Sequence, residues 1–221
     1  MAEGAADLPV ALLVIVGLLT GGGLVVLLRR MPWEALFVPG RAELFVAAFL
    51  TLLLIWSLRA QVVDGLALHL MGMAAVTLIF GWQLAILLAF LVTGMLGLFG
   101  VLPMAMVPLT VLLAGALPVA VTWGLLRLTE TRFPPHMFIY LYGVAFLGGA
   151  LSAAVTVLGT GVIHALFTEL AWSEVYRDYV RYLPLLILPE SVVNGIVITA
   201  MVVLRPGWLA TWSDERYLHG R

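Results

Sequence analysis

Long apolar runs alternate with short polar connectors along nearly the whole chain. Runs at residues 8–28, 42–58, 65–82, 84–98, 106–126, 137–167 and 182–204 each approach or exceed crossing length, for which a helix needs about 20 apolar residues against a hydrocarbon core of about 30 Å. The pattern predicts about seven transmembrane helices in an all-α, polytopic membrane fold, with residues 1–221 as a single transmembrane domain. The connectors differ in character. Arg29, Arg30, Pro32, Glu34, Pro39, Gly40 and Arg41 follow the first run, and Arg127, Glu130, Arg132, Pro134, Pro135 and His136 follow the fifth. Gly81, Trp82 and Gln83 form a tight, uncharged turn.

Prolines and glycines modulate several runs. Pro103, Pro108 and Pro118 predict a loop near residue 103 and a kinked fifth helix, because an interior proline removes a helical hydrogen bond. The sixth run is longer than a straight crossing needs. It is expected to tilt, to extend beyond the bilayer, or to kink at Gly148–Gly149 or between Gly159 and Gly161. Residues 169–181, ELAWSEVYRDYVR, fit a short interfacial helix with Trp172, Tyr176 and Tyr179 at headgroup level.

The third run concentrates the chemistry. DGLALHLMGMAAVTLIFGWQ, from Asp64 to Gln83, carries His69 within apolar sequence. On a helix, Gly65, His69 and Met73, spaced four apart, share a face with Gly72, and Asp64 is placed to cap the first turn. Ionisable groups inside a membrane span are costly and mark functional positions. The last run adds Glu190 and Asn194 at i, i+4 behind Pro184 and Pro189. His69, Met73, Glu190 and Asn194 are therefore the candidate substrate-binding residues, with His69 the candidate metal ligand. The alternatives are a hydrogen-bonded imidazole at a helix interface, a Glu190 helix cap and an Asn194 interhelical bond. Gly17 and Gly21 form a small-xxx-small pair suited to helix packing or to docking a partner.

Composition sharpens this picture. The chain is 63% hydrophobic and 10% charged, with a mean hydropathy of +1.14, against about 45–50% and about 25% in soluble domains. There is no cysteine, which excludes thiolate metal sites and disulfides. There is no lysine either, so a GxxxxGK[ST] phosphate loop is impossible and any ATPase belongs to another chain. The methionines read as core fillers. No Ser/His/Asp set or HExxH motif points to an enzyme. Glu3 and Asp7 precede the first run and Arg29–Arg30 follow it, the reverse of a signal peptide, so a retained span is expected. With the N-terminus outside, eight arginines fall on inner connectors and three on outer ones, as the positive-inside rule favours. A bacterial plasma-membrane protein with an outer N-terminus and a cytoplasmic C-terminus is the expectation.

Two stretches resemble a known family. GLALHLMGMAAVTLIFGWQLAILLAF is similar to the region of CbiM/NikM-type permeases that carries a membrane-embedded histidine. YLPLLILPESVVNGIVITAMVVLRPGWLATWSDERYL resembles the C-terminal pattern of a less characterised branch of energy-coupling factor (ECF) permeases. The resemblance implies a substrate-capture (S) component with about seven spans. Such a component works in an ABC transporter for cobalt or nickel, with a membrane-embedded T component and separate ATPase subunits. In the best-known members a Met-His N-terminus joins the intramembrane histidine in a square-planar nitrogen site. This chain begins MAEGAAD, so His69 alone carries over. A transported Co2+ or Ni2+ is the implied substrate. A non-transporting accessory or assembly subunit of a larger membrane complex is the alternative, favoured by the abundant packing glycines.

Overall fold

In the computed structural model, which describes residues 8–58, 60–63 and 66–218, most of the apolar runs become helices. They are α1 (Val10–Arg29), α2 (Arg41–Ser57), α3 (Met73–Phe80), α4 (Trp82–Leu98), α5 (Met104–Arg132), α6 (Ile139–Phe167), α7 (Trp172–Asp178), α8 (Leu183–Leu204) and the short α9 (Asp214–Tyr217). A small antiparallel hairpin, β1 (Ala60–Val63) and β2 (Leu66–Leu68), joins α2 to α3. Helices α1, α5 and α6 and the stretch Trp172–Leu204 are long and apolar enough to cross a membrane, and α4 is a shorter apolar helix. The protein is a polytopic helical membrane protein.

The expected third span is corrected. Residues 65–82 do not form one helix: hairpin residues are followed by an irregular stretch over 69–72 and then by the eight-residue α3. Glycines in the left-handed region bracket α3, Gly72 at φ +66° and Gly81 at φ +85°. These conformations exclude most side chains and interrupt a continuous helix. Every residue of α3 is buried, and it lies against α4, α5, α6 and α8. Asp64 and Gly65 lie outside the described residues.

The proline-rich fifth run is continuous but locally widened. Val111–Ala116 forms π-helical turns, in which each N–H serves a carbonyl five residues back. In that register residue 118 would serve Leu113, but Pro118 has no N–H. The Thr156 hydroxyl of α6 donates to the Leu113 carbonyl instead, at 2.9 Å. A backbone group freed within the membrane is thus satisfied by a neighbouring helix.

In α6 the irregularity also lies elsewhere than at its glycine pairs. The π-helical turns are at Ile139–Phe146, while Gly148–Gly149 and Gly159–Gly161 stay in regular helix. Those glycines set packing distance. A Cβ at Gly149 would stand 2.8 Å from the Glu190 carbonyl and 3.1 Å from the Asn194 side chain. The α6 and α8 backbones touch there, which fixes the depth of Glu190 relative to the rest of the bundle.

The chain beyond α8 folds back beneath α3. The Ala210 N–H donates to the Ile79 carbonyl at 2.9 Å, and the Thr211 hydroxyl donates to the Leu78 carbonyl at 2.8 Å. Tyr140, Trp212 and Tyr217 form an aromatic cluster with centroids 4.8–5.0 Å apart. Glu130 accepts from Arg216 at 2.7 Å and from Arg127 at 2.8 Å. Burial pushes the Tyr217 phenol above its usual range, with the Arg216 charge pulling the other way.

The Gly149 contact yields a direct expectation. Gly149→Val should destabilise the protein by about 1–3 kcal/mol through overpacking. Gly22→Ala, in mid-helix where nothing lies within 4 Å, should leave stability unchanged or raise it by up to about 1 kcal/mol. Thermal unfolding of the two variants in detergent separates the cases.

Candidate functional site

His69 sits at the start of the irregular stretch between β2 and α3, half-buried rather than lipid-facing on a helix. Its ring lies against Trp56 of α2, centroids 5.3 Å apart and tilted by 49°. Its Nδ1 is 3.0 Å from the Leu70 carbonyl. A carbonyl only accepts, so Nδ1 carries the proton. In the neutral ring the lone pair is then on Nε2, the tautomer that a backbone carbonyl fixes in metal-binding histidines.

The stretch after His69 is held by three side chains from distant parts of the sequence. The Trp56 indole N–H donates to the Met71 carbonyl at 3.0 Å. Glu190 accepts from the Met71 N–H at 2.8 Å on one oxygen and from the Gly72 N–H at 2.7 Å on the other. The Asn194 amide oxygen accepts from the Ala75 N–H at 2.6 Å. Its NH2 donates to the Glu190 carboxylate at 2.9 Å and to the Glu190 carbonyl at 2.6 Å. Glu190 and Asn194, both buried, therefore cap the N-terminus of α3 from α8.

The physical reason is plain. The first turn of a helix carries N–H groups without intrahelical partners, and at membrane depth water cannot serve them. A carboxylate is favoured there because the helix dipole leaves partial positive charge at its N-terminus. Among the described residues no side chain of α3 or its N-cap does this work; the carboxylate and amide arrive from more than a hundred residues away.

The candidate residues thus divide. Glu190 meets the chain two and three residues beyond His69, so the two are brought into one neighbourhood through the main chain. Met73 is fully buried as the first residue of α3. The helical face expected for Gly65, His69, Gly72 and Met73 does not form, because His69 precedes the helix. Among the described residues no group of three or more His, Asp or Glu side chains gathers to hold a metal ion. His164, near the end of α6, points its Nδ1 at the Thr160 carbonyl at 2.9 Å. His136 accepts the Phe138 N–H at 3.2 Å in an exposed connector. His219 lies outside the described residues. Gly17 approaches Pro108 of α5, while Gly21 meets nothing within 4 Å.

Sequence reasoning passed over Trp56 and Arg41. Trp56 reads as one more apolar residue of the second run, although a buried indole N–H usually needs an acceptor. Arg41 reads as an exposed connector residue, yet it is buried and donates to the Ile79 carbonyl at 3.1 Å, at the other end of α3.

Among known proteins, the chain matches across residues 3–208 the CbiM family, described as the cobalt uptake substrate-specific transmembrane region. No curated protein matches it.

The cap can be tested without any substrate. Glu190→Leu leaves the Met71 and Gly72 N–H groups buried and unpaired, at about 1–3 kcal/mol each. Glu190→Gln retains one acceptor and should lose less. Amide hydrogen exchange over residues 71–75, with thermal unfolding, should rank wild type, Glu190→Gln and Glu190→Leu in falling order of protection.

Proposed function

We propose that this chain, which belongs to the CbiM family of cobalt-uptake transmembrane components, is the substrate-capture component of an ECF-type ABC transporter for cobalt or nickel. The family match over most of the chain is the observation that carries the reading. Two further features support it. The chain has no phosphate-loop lysine with which to drive transport itself. It also holds one imidazole on a main-chain segment braced by Trp56 and Glu190.

His69 is the candidate ligand for a divalent ion on this segment. Imidazole nitrogen suits nickel and other late transition metals. Glu190 and Asn194 act as positioning residues: they fix the turn at Gly72 and so the place of His69. Met73 forms the buried floor of the same segment. Release inward then depends on a T component and separate ATPases, with the Gly17–Gly21 face of α1, apart from the flank that carries Gly23, as the docking surface.

The chain lies in a bacterial plasma membrane with its N-terminus outside and its C-terminus in the cytoplasm. The arginine excess of the connectors is what favours this sidedness, and the ion pair between Glu130 and Arg216 brings the end of α5 and the C-terminal tail to one end of the bundle. All of these segments carry the arginine excess.

Purified wild-type protein should bind cobalt or nickel, and His69→Ala should weaken binding by at least about tenfold, on the scale of losing a metal-site partner. Elemental analysis of a tagged pull-down should show the metal together with a T component and ATPases. Equally poor binding of cobalt, nickel, copper and zinc by both proteins would sink the metal assignment. A stable larger membrane partner without any ATPase would favour the accessory-subunit reading.

A further inference from the structure

Helix α1 packs on the bundle along one flank, where Leu24 lies against the main core, and stands away from it on another. Val16 is buried against Leu109, and Leu27 is buried in the main core with Met31. Between these anchors, on the flank that faces α4 and α5, Gly23 has no heavy atom within 4 Å of where a Cβ would stand. The result is a groove of about 340 Å³ between α1, the α4 stripe of Trp82, Ile86 and Phe90, and the π-helical turns of α5. Its wall is apolar, and the Thr20 hydroxyl on it is turned back to the Val16 carbonyl at 2.7 Å. The one charged lining residue is Arg30, at the end of α1.

We propose that this groove is a binding site for one anionic phospholipid, with an acyl chain along α1 and the phosphate at Arg30. Three observations converge on that occupant. An apolar void at membrane depth leaves its lining without dispersion partners, and no side chain of the glycine stretch fills it. The groove runs from Val16 to Arg30, about 21 Å at about 1.5 Å per residue, enough for a chain crossing one leaflet of about 15 Å. A guanidinium at the mouth of an apolar groove between membrane helices is the arrangement that binds anionic headgroups. The proposal is independent of any metal chemistry at His69.

The test uses the full-length purified chain in mixed micelles of phosphatidylglycerol and phosphatidylcholine, read by native mass spectrometry. Wild type should retain one phosphatidylglycerol in preference to phosphatidylcholine. Arg30→Gln should cut that preference about fivefold, the effect of about one basic residue at a membrane surface. Gly23→Leu, which fills the groove, should lose bound lipid of both kinds. Arg29→Gln removes the same charge outside the groove lining and should keep most of the preference. Unchanged helicity by circular dichroism shows that each variant is folded. An equal effect of Arg29→Gln and Arg30→Gln, or no lipid preference in wild type, overturns the proposal. So does a Gly23→Leu protein that keeps its lipid but loses a co-purifying membrane partner, which would make the groove a protein interface.

Discussion

The arrangement depends on satisfying both ends of α3. This helix has eight residues and is buried along its whole length, so its terminal groups cannot reach water. An isolated helix of that length has no stability of its own. It exists because other elements supply what its ends lack. Asn194 accepts the Ala75 N–H in its first turn, and Glu190 accepts the Met71 and Gly72 N–H groups immediately before it. Arg41, Ala210 and Thr211 donate to its trailing carbonyls. The charges match the dipole, with a carboxylate at the N-terminus and a guanidinium at the C-terminus.

This double capping ties together elements that are far apart in sequence. At one end α8 holds the main chain immediately after His69, and α2 holds it again through Trp56. At the other end the first turn of α2 and the C-terminal tail meet the same short helix. Tyr140 of α6 is joined to that end, because its hydroxyl and that of Thr211 lie 2.7 Å apart. The contact of α6 with α8 at Gly149 then sets where the carboxylate sits. His69 is positioned less by its own neighbours in sequence than by this framework.

The outline of the fold was legible in the sequence because hydropathy and length suffice for helices that face lipid. The runs that became α1, α2, α4, α5, α6 and α8 are of that kind. The third run was not legible for a physical reason. Apart from His69, LALHLMG is apolar, and a short apolar run does not distinguish extended from helical backbone. What decides its shape is Gly72 and Gly81 in the left-handed region, together with acceptors contributed by Glu190 and Asn194. The importance of Glu190 and Asn194 was visible, since a carboxylate and an amide inside a span demand partners. Their partners were not, because backbone N–H groups leave no mark in sequence. Trp56 and Thr211 were hidden in the same way: each bonds a main-chain carbonyl.

The contrast between α3 and α1 separates two ways of placing a helix in this membrane protein. α3 is fixed by directional bonds at its ends and by close contact on every side, so a change of one partner propagates to the segment bearing His69. α1 is fixed by apolar contacts, chiefly at Val16 and Leu27, and beside Gly23 it leaves a gap that protein does not fill. Hydrocarbon tails are as apolar as the side chains they would replace, so no hydrophobic force drives α1 to close that gap. The stiffly held element is therefore the one next to the candidate metal ligand. The loosely held element borders the bilayer, where a lipid or a partner subunit can exchange without disturbing the bonds around His69.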